Sequence, residues 1–425
     1  MKHKKTKSRW ITGNFARFLT GRTLSVLGGN MLRFALSLYI LEQTGSAAEY
    51  GTVLALGYVP TILLSPLGGV LADRADRRAM MAALDAGYCA LALAMAACCG
   101  LGAPLRALEG LLLASSVLGC LDAPVVQASV PLLSNGNIAR ANAMTNQTVQ
   151  LVGVLSPMLG SALYDALGGA RLGVLLAVCA ALHAGAAFVA LTLRIPCTRR
   201  ERREGAGAVV WRDLGEILRL AFVQRKALGH VMLFNALLTL LLNPFLAMGV
   251  TYTVSVRLGL PAVWNGTAQS IIGASTLLGC WLAGRAVGRF RVRQLYRLFL
   301  AAGAGLLPAA LALVEGMPVV VAYALTVLAG AVIVVLCYFA GVYIVSGLQG
   351  ACPGGMMGRM MALYTATNNL TNPVGTLLQG ILYDRLSGAL PAVFAAMSAM
   401  VMLAAACSRR VYAALDEKSE LAENG

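Results

Sequence analysis

Five ionisable side chains stand inside long apolar stretches of the chain, where a charge costs free energy. They are two carboxylates, two guanidinium groups and one imidazole: Asp85, Asp122, Arg22, Arg33 and His183. Such residues persist in apolar surroundings mainly where they pair with one another or take part in function. A carboxylate in an apolar cavity can hold and release a proton, and an arginine beside it can pair with it or bind an anion.

Asp122 is the first candidate for a proton site. The second half of the chain has no carboxylate inside its predicted apolar spans except near their ends, as with Glu315. For Asp85 and Arg33 a structural ion pair and a functional role both fit the sequence, and the partner of Arg33 would be Asp122, Asp85 or an anionic substrate. His183 is interpreted as a packed or interfacial histidine.

Small polar side chains form a second group within the apolar segments. They either line a cavity or join helices by hydrogen bonds, and both interpretations stay open. Asn30 is placed with the proton and substrate candidates. The other members are Asn235, Asn243, Gln269, Tyr364, Asn368, Asn369 and Asn372.

The composition indicates a membrane protein. Of the 425 residues, 58% are hydrophobic and 12% are charged, and the mean hydropathy is +0.74. A bilayer core about 30 Å thick needs roughly 20 apolar residues per helix, and the pattern lacks the short alternation of a membrane β-barrel. Twelve transmembrane helices are predicted, near 15–42, 50–72, 80–102, 108–131, 141–164, 171–193, 228–256, 263–284, 295–315, 318–346, 360–383 and 389–408.

The net charge of +16 is interpreted as a topology signal and not as a nucleic-acid site. With the N-terminus inside, 27 of the 34 Lys and Arg fall on the inner side, four outside and three in the first span. This asymmetry follows the positive-inside rule, so both termini are expected in the cytoplasm and the protein in a bacterial inner membrane. Arg22 and Arg33 interrupt the first apolar stretch, which favours an uncleaved helix over a signal peptide.

The chain contains an internal repeat. Residues 140–169 align without gaps with 359–388 at ten identities in thirty, including a shared Leu-Tyr-Asp. Residues 67–78 align with 278–289 at seven identities in twelve. The second predicted span therefore matches the eighth, and the fifth matches the eleventh.

The repeat divides the chain into two six-helix bundles, 1–195 and 227–425, joined by a cytoplasmic linker at 196–226. Six spans return the chain to its starting side, so the repeats run parallel and are related by an axis along the membrane normal. Two such bundles can rock about a central site, which favours a carrier.

The segment between the second and third spans resembles the signature loop of the major facilitator superfamily. It reads Gly-Val-Leu-Ala-Asp-Arg-Ala-Asp-Arg-Arg from Gly69 to Arg78, with Asp76 where the family usually has Gly. Its Ala-Asp-Arg-x-Asp-Arg-Arg form is similar to the macrolide-efflux and siderophore-exporter branch. The resemblance implies the two-bundle, twelve-helix fold of that superfamily and transport by alternating access.

This loop is expected to act as a gate. Asp73 would bridge to the N-terminus of the eleventh span, where the helix dipole is positive, and to Arg359. The bridge would form in the outward-open state and break in the inward-open state; alternatively, these charges only set topology. The gating residues are Gly69, Asp73, Arg74, Arg77, Arg78 and Arg359.

Two spans contain proline and are expected to kink. Exporters of the family often carry a Gly-Pro-rich stretch in the fifth helix, and this chain keeps Pro157 and Gly160 but has Ser156 before the proline. That substitution weakens the indication of export. Pro373 would kink the eleventh span similarly, and both kinks are equally compatible with a purely packing role.

Other classes of function fit less well. The chain has only three histidines and lacks both Gly-x-Ser-x-Gly and His-Glu-x-x-His, which argues against an enzyme. It also lacks any Gly-Lys pair, which argues against a nucleotide-driven pump.

The sequence predicts a proton-coupled exporter of amphipathic small molecules, of macrolide, multidrug or siderophore type. An importer of a small polar solute is the alternative, and a transport-dead membrane sensor also fits. No cofactor or metal is expected beyond the proton gradient, and the expected state is a monomer in the lipid bilayer.

Overall fold

The computed structural model describes residues 13–74, 76–134, 138–167, 172–195, 219, 222, 226–286, 289–351 and 357–413. Side chains are described in these ranges except at 61–74, 138–140, 226–227, 349–351, 357–359 and 362. This part of the chain consists of helices joined by turns and short irregular segments, and it has no strand. Its helices are α1 (Gly13–Thr44), α2 (Ala47–Arg74), α3 (Arg77–Gly100), α4 (Leu105–Leu133), α5 (Ile138–Leu167), α6 (Leu172–Leu191), α7 (Lys226–Pro244), α8 (Ala262–Arg285), α9 (Leu295–Ala304), α10 (Leu307–Ala312), α11 (Val319–Ala351), α12 (Met357–Arg385) and α13 (Leu390–Cys407).

Helices occupy every predicted span, which confirms the all-α membrane fold. Among the described residues, eight helical segments are long and apolar enough to cross a membrane by length and composition. The helices α2, α5, α8 and α12 are not among these eight, and they are the four that carry the internal repeat. Since α5 and α12 hold Asn, Gln and Thr among their apolar residues, their polar faces need protein or water as neighbours.

Two boundaries differ from the prediction. The single span predicted at 295–315 is interrupted between Ala304 and Leu307, where Ser398 of α13 donates a hydrogen bond to the carbonyl of Gly303 at 2.7 Å. The span predicted at 318–346 extends further, because α11 continues to Ala351.

A proline interrupts the hydrogen bonding of α7. Pro244 has no N–H, so the carbonyl of Leu240 loses its helical partner. A Cβ added to Gly375 of α12 would lie 2.6 Å from Pro244 Cγ and 2.8 Å from the Leu240 oxygen, while Gln379 donates to the Leu241 oxygen at 2.9 Å. The helix continues beyond the proline through π-helical turns at Phe245–Gly249 and Thr253–Arg257. A glycine and an amide of α12 therefore accommodate the irregular stretch.

The helices form two compact units. Unit 1 comprises Met1–Leu36 and Leu63–Arg202, and unit 2 comprises Ser37–Ile62 and Arg203–Gly425. In unit 1, α3 packs along α6 and α4; in unit 2, α8 packs along α11, α9 along α13 and α7 along α12. The start of α2 belongs to the core of unit 2, where Ala47 and Tyr50 are buried.

Candidate functional sites

An ion pair joins α1 to α4 in unit 1. Arg22 Nη1 donates to Asp122 Oδ2 at 2.5 Å, and the two side chains are 15% and 20% exposed. Two charges withdrawn this far from water are tolerated because each neutralises the other. Adding or removing one proton here would therefore change the charge balance of the whole site.

A second pair joins α3 to α6 in the same unit. Asp85 Oδ1 lies 3.1 Å from His183 Nδ1, and the imidazole is 1% exposed. Tyr88, one turn after Asp85, stacks on the imidazole with ring centroids 4.8 Å apart. Gly28 of α1 allows this packing, since a Cβ there would lie 3.1 Å from the ring. The histidine is therefore fixed in orientation by a carboxylate and an aromatic ring.

A cavity of about 390 Å³ adjoins both pairs. Its walls come from α1, α3, α4, α5 and α6. Arg33 extends into the region of Tyr88: both side chains come within 3.3 Å of a Cβ placed on Gly119. The polar and charged lining residues are Arg22, Ser25, Asn30, Arg33, Tyr88, Ser115, Asp122, Gln150 and His183.

Unit 2 contains a larger cavity, about 660 Å³, of different character. Its lining as described has no Asp, Glu, Lys, Arg or His side chain. Amides, hydroxyls and thiols alternate there with apolar groups. The polar lining residues are Asn235, Thr239, Asn243, Cys280, Cys337, Tyr338, Ser346, Tyr364, Asn368 and Asn372.

Hydrogen bonds between α7 and α12 organise the amides of this cavity. Asn235 Nδ2 donates to Asn368 Oδ1 at 2.8 Å, and Asn243 Nδ2 donates to Asn372 Oδ1 at 2.5 Å. Thr239 lies between them and donates to the same Asn368 oxygen at 3.4 Å. On each helix these residues are four apart, so they form one polar stripe on each. The stripes face each other and leave further donors and acceptors for a ligand.

The two cavities use equivalent positions of the repeat. Val149 and Gly153 of α5 line the cavity of unit 1, and Asn368 and Asn372, which align with them, line that of unit 2. The duplicated helix therefore presents the same face to a cavity in each unit.

Comparison with known proteins identifies the family. The family model described as the Major Facilitator Superfamily matches residues 18–351. The chain belongs to this superfamily. Members of this superfamily are transporters that bind small molecules and work within the lipid bilayer.

Individual relatives support the fold more strongly than a substrate. A 71-residue stretch is 34% identical to Macrolide efflux protein A of Streptococcus pyogenes, covering 17% of this chain and 18% of that protein. The nucleoside transporter NupG superposes with a TM-score of 0.70 at 13% identity, over 94% of this chain and 99% of NupG. A D-xylose-proton symporter superposes with a TM-score of 0.67 at 14% identity, over 92% of this chain and 95% of the symporter. A bacterial homologue of the iron transporter ferroportin, in an inward-facing state, superposes with a TM-score of 0.67 at 15% identity. The superposition covers 95% of this chain and 98% of the homologue.

The structure shows how the buried ionisable groups of unit 1 pair, which the sequence left open. Asp122 and Asp85, two of the three partners considered for Arg33, contact Arg22 and His183. Arg33 forms no ion pair among the described residues, so an anionic substrate stays open as its partner. His183 is packed, as the sequence suggested, and it also contacts Asp85, which the sequence did not predict. The available signal was that each ionisable residue in an apolar helix requires a partner, and a lone histidine could supply one.

The signature loop is only partly visible. The side chains of Gly69, Asp73, Arg74 and Arg359 lie outside the described residues, so the expected gate contact stays a prediction. Asp76, the departure from the family pattern, is the N-cap of α3 and accepts a hydrogen bond from the N–H of Arg78 at 3.0 Å.

Both prolines singled out from the sequence lie within continuous helices, Pro157 in α5 and Pro373 in α12. Gly160 lies against α1, since a Cβ on it would be 3.6 Å from the Met31 Cα. Thr376 donates to the carbonyl of Asn372, the residue before Pro373, at 3.0 Å. Close packing and a local polar bond therefore surround these prolines.

Proposed function

We propose that this protein is a proton-coupled secondary transporter that exports amphipathic small molecules by alternating access. The observation that carries the proposal is the Arg22–Asp122 ion pair beside the cavity of unit 1. A carboxylate that is largely shielded from water and open to a cavity can be neutralised in two ways, by pairing with a positively charged side chain or by binding a proton. Exchange of one for the other can couple proton movement to a second event.

Proton binding at Asp122 removes the charge that holds Arg22. The guanidinium then lacks its counter-ion inside the unit, and the site favours a conformation in which water or another anion reaches it. Loss of the proton restores the pair. Asp85 and His183 form a neighbouring pair, in which Asp85 Oδ1 lies 3.1 Å from His183 Nδ1.

The cavity of unit 2 is proposed as the main substrate surface. Its amide and hydroxyl groups can bond to scattered polar atoms of a ligand, while Leu238, Leu242 and Phe299 supply apolar contact. Pockets of this mixed kind place few charges and many adaptable contacts around a ligand. The arrangement suits an amphipathic compound without a strong charge.

Export is supported by the partial match to Macrolide efflux protein A. Import of a small polar solute is the second candidate, and two observations favour it. The amide stripes suit a hydroxyl-rich ligand, and similar folds belong to a nucleoside transporter and a D-xylose-proton symporter.

The remaining features of the proposal come from the sequence. The halves 1–195 and 227–425 move against each other about the linker 196–226, and Asp73 closes the inner side against the start of α12 and Arg359. Both termini lie in the cytoplasm, the membrane is a bacterial inner membrane, and a monomer suffices.

Reconstituted transport tests the proposal. Vesicles holding the wild type, Asp122→Asn or Glu109→Gln receive an imposed proton gradient, and uptake of radiolabelled erythromycin, a nucleoside and xylose is followed together with internal pH. Glu109 is a matched control, a carboxylate on the same helix that lies outside the described lining of the cavity. We expect uphill macrolide movement with proton counterflow in the wild type and the control, and a loss of about tenfold or more in Asp122→Asn. Equal uphill transport by Asp122→Asn would reject Asp122 as the coupling site, and uphill movement of only nucleoside or sugar would favour the importer.

A further inference from the structure

The first turn of α2 is held in a defined position. Only Gly45 and Ser46 separate α1 from α2, and Gly45 has a φ of +62°, a conformation that favours glycine. The hydroxyl of Thr44 accepts a hydrogen bond from the N–H of Ser46 at 3.2 Å. The turn therefore directs the unpaired N–H groups at the start of α2 to one place.

A carboxylate from the end of α12 occupies that place. Asp384 accepts a hydrogen bond from the N–H of Ala47 at 2.7 Å, from the N–H of Ala48 at 2.9 Å and from the hydroxyl of Ser46 at 2.6 Å. The same hydroxyl accepts from the N–H of Glu49 at 3.1 Å. A carboxylate at this position satisfies orphan donors and also interacts favourably with the positive end of the helix dipole.

Glycines bring the two backbones together below this cap. A Cβ added to Gly380 of α12 would lie 2.7 Å from the Ala47 oxygen, and one added to Gly51 of α2 would lie 2.7 Å from the Thr376 oxygen. Tyr50, between these contacts, is 5% exposed. Small residues at such crossings let membrane helices approach closely without a specific polar bond. Asp384 therefore supplies the charged part of a contact that is otherwise held by packing.

The two ends of α2 belong to different units. Residues 47–62 belong to unit 2 and residues from Leu63 onward to unit 1, although α2 is one continuous helix. The positive-inside topology puts the start of α2 and the end of α12 on the outer side. We propose that Asp384 is a gating residue: it holds the first turn of α2 on α12 while the outer side is closed, and releases it in each transport cycle.

The inference rests on the proposed alternating access and adds an outer latch to the inner latch expected at Asp73. Both consist of a carboxylate at a helix N-terminus. Such a latch is reversible because its bonds can be replaced by water, which is available at the membrane surface. The latch is also local, so its state can be measured without knowing the substrate.

Cysteine labelling from outside tests the latch. In a variant with all ten native cysteines replaced, Ala47→Cys is introduced, since Ala47 is 0% exposed and buried by this contact. A membrane-impermeant maleimide then reports how often the start of α2 leaves α12. We expect Asp384→Asn to raise the labelling rate about five- to tenfold, the equilibrium effect of losing a charged helix cap. Glu49→Gln, which changes an exposed carboxylate of the same turn, should leave the rate within about twofold.

Two further arms separate gating from general loss of structure. Cysteine at Ala329, buried in α11, should stay unreactive in Asp384→Asn; a parallel rise there would overturn the latch in favour of unfolding. Cross-linking Ser46→Cys to Asp384→Cys should abolish labelling at position 47, and reduction should restore it. Unchanged labelling of Ala47→Cys in Asp384→Asn would also overturn the latch. A normal labelling response combined with failure of macrolide export would leave the latch in place and reject the exporter.

Discussion

The two cavities satisfy their polar groups in different ways. In unit 1 the groups are ionisable and pair between helices, Arg22 with Asp122 and Asp85 with His183. In unit 2 the described lining has no charged side chain, and amides bond to amides between α7 and α12. A charged pair responds when its carboxylate gains a proton, whereas an amide pair can only exchange hydrogen-bond partners. The comparison supports the proposal that proton coupling belongs to unit 1 and substrate recognition to unit 2.

The repeat shows how few changes separate the two cavities. On the duplicated helix, the cavity positions shared by both copies are Val149 and Gly153 in α5 and Asn368 and Asn372 in α12; Gln150 lines only the first cavity and Tyr364 only the second. Two substitutions on one helix face therefore account for the amide stripe on α12. The same duplication has kept Leu-Tyr-Asp at the end of both helices, which carries Asp384 in the second copy.

The largest effect is expected from breaking the charged pair of unit 1. Asp122→Ala leaves Arg22 without its counter-ion, and removal of one partner from a buried pair costs about 3–5 kcal/mol. The double variant Arg22→Gln with Asp122→Asn replaces the pair by neutral groups and should recover most of that loss without recovering proton-coupled transport. Thermal unfolding in detergent measures the stability of each variant, and internal pH in vesicles measures proton-coupled transport. A double variant as unstable as Asp122→Ala would show that the pair matters through shape and not through charge.

A slightly smaller effect is expected at the second pair. His183→Ala removes a fully buried ring from between Asp85 and Tyr88, and comparable aromatic truncations cost about 3 kcal/mol or more. The carboxylate of Asp85 also loses its partner. Asp85→Asn keeps a hydrogen-bond acceptor near the imidazole and should cost less, about 1–2 kcal/mol. Unfolding midpoints of the two variants should keep this order; the reverse order would mean that the Asp85 charge dominates the pair.

Exchanging the repeat positions sharpens the comparison directly. Asn368→Val with Asn372→Gly gives α12 the lining of α5 and removes the acceptors used by Asn235 and Asn243. We expect substrate affinity to fall by about 10- to 100-fold, or about 1–3 kcal/mol, while proton binding in unit 1 is retained. Equilibrium binding of a fluorescent macrolide measures the change. Loss of proton movement at unchanged affinity would reverse the assignment of roles.

Much of the helical scaffold was accessible from the sequence because the bilayer imposes long apolar segments. Each of the twelve predicted spans contains helix, whereas the relation of α5 to α12 by duplication stays a prediction. The interruption near Gly305 was missed although Pro308, which has no N–H to donate to the carbonyl of Ala304, indicates it in the sequence. The π-helical turns after Pro244 were missed because Gln379 and Gly375 accommodate them from another helix, α12.

The site was predicted less completely than the fold. Placing Asp122, Asp85 and Arg33 in apolar spans followed from the cost of burying charge, but which ones pair depends on how the helices are rotated. That is why Arg22 and His183 were not chosen as partners. Asp384 was overlooked because a carboxylate at the end of a span has an ordinary explanation, contact with water. Its three hydrogen bonds to the start of α2 join residues that are 336 to 338 positions apart in the sequence.

A moderate effect is expected where the repeat places different small residues. Gly375 aligns with Ser156, whose buried hydroxyl bonds to the carbonyl of Val152 at 2.5 Å. Gly375→Ser would press a side chain into Pro244 and should cost about 1–2 kcal/mol through strain. Ser156→Gly has no such clash and should cost less, mainly through helix propensity of about 0.5 kcal/mol. Thermal unfolding of both variants measures these costs. Equal costs would show that α7 shifts at Pro244 to accommodate the serine side chain.

The smallest effect is expected at the start of α3. Asp76 caps this helix through the N–H of Arg78, so Asp76→Ala should cost about 1 kcal/mol, whereas Asp76→Gly, the residue usual in the family, should cost only a few tenths. Both variants remove the same charge from the signature loop. If the loop acts through that charge, transport rates of the two variants will fall alike despite their different stability; if Asp76 serves only as a cap, rates will follow the unfolding midpoints. Either result bears on unit 1 alone, since the position aligned with Asp76 in the second half is Val287.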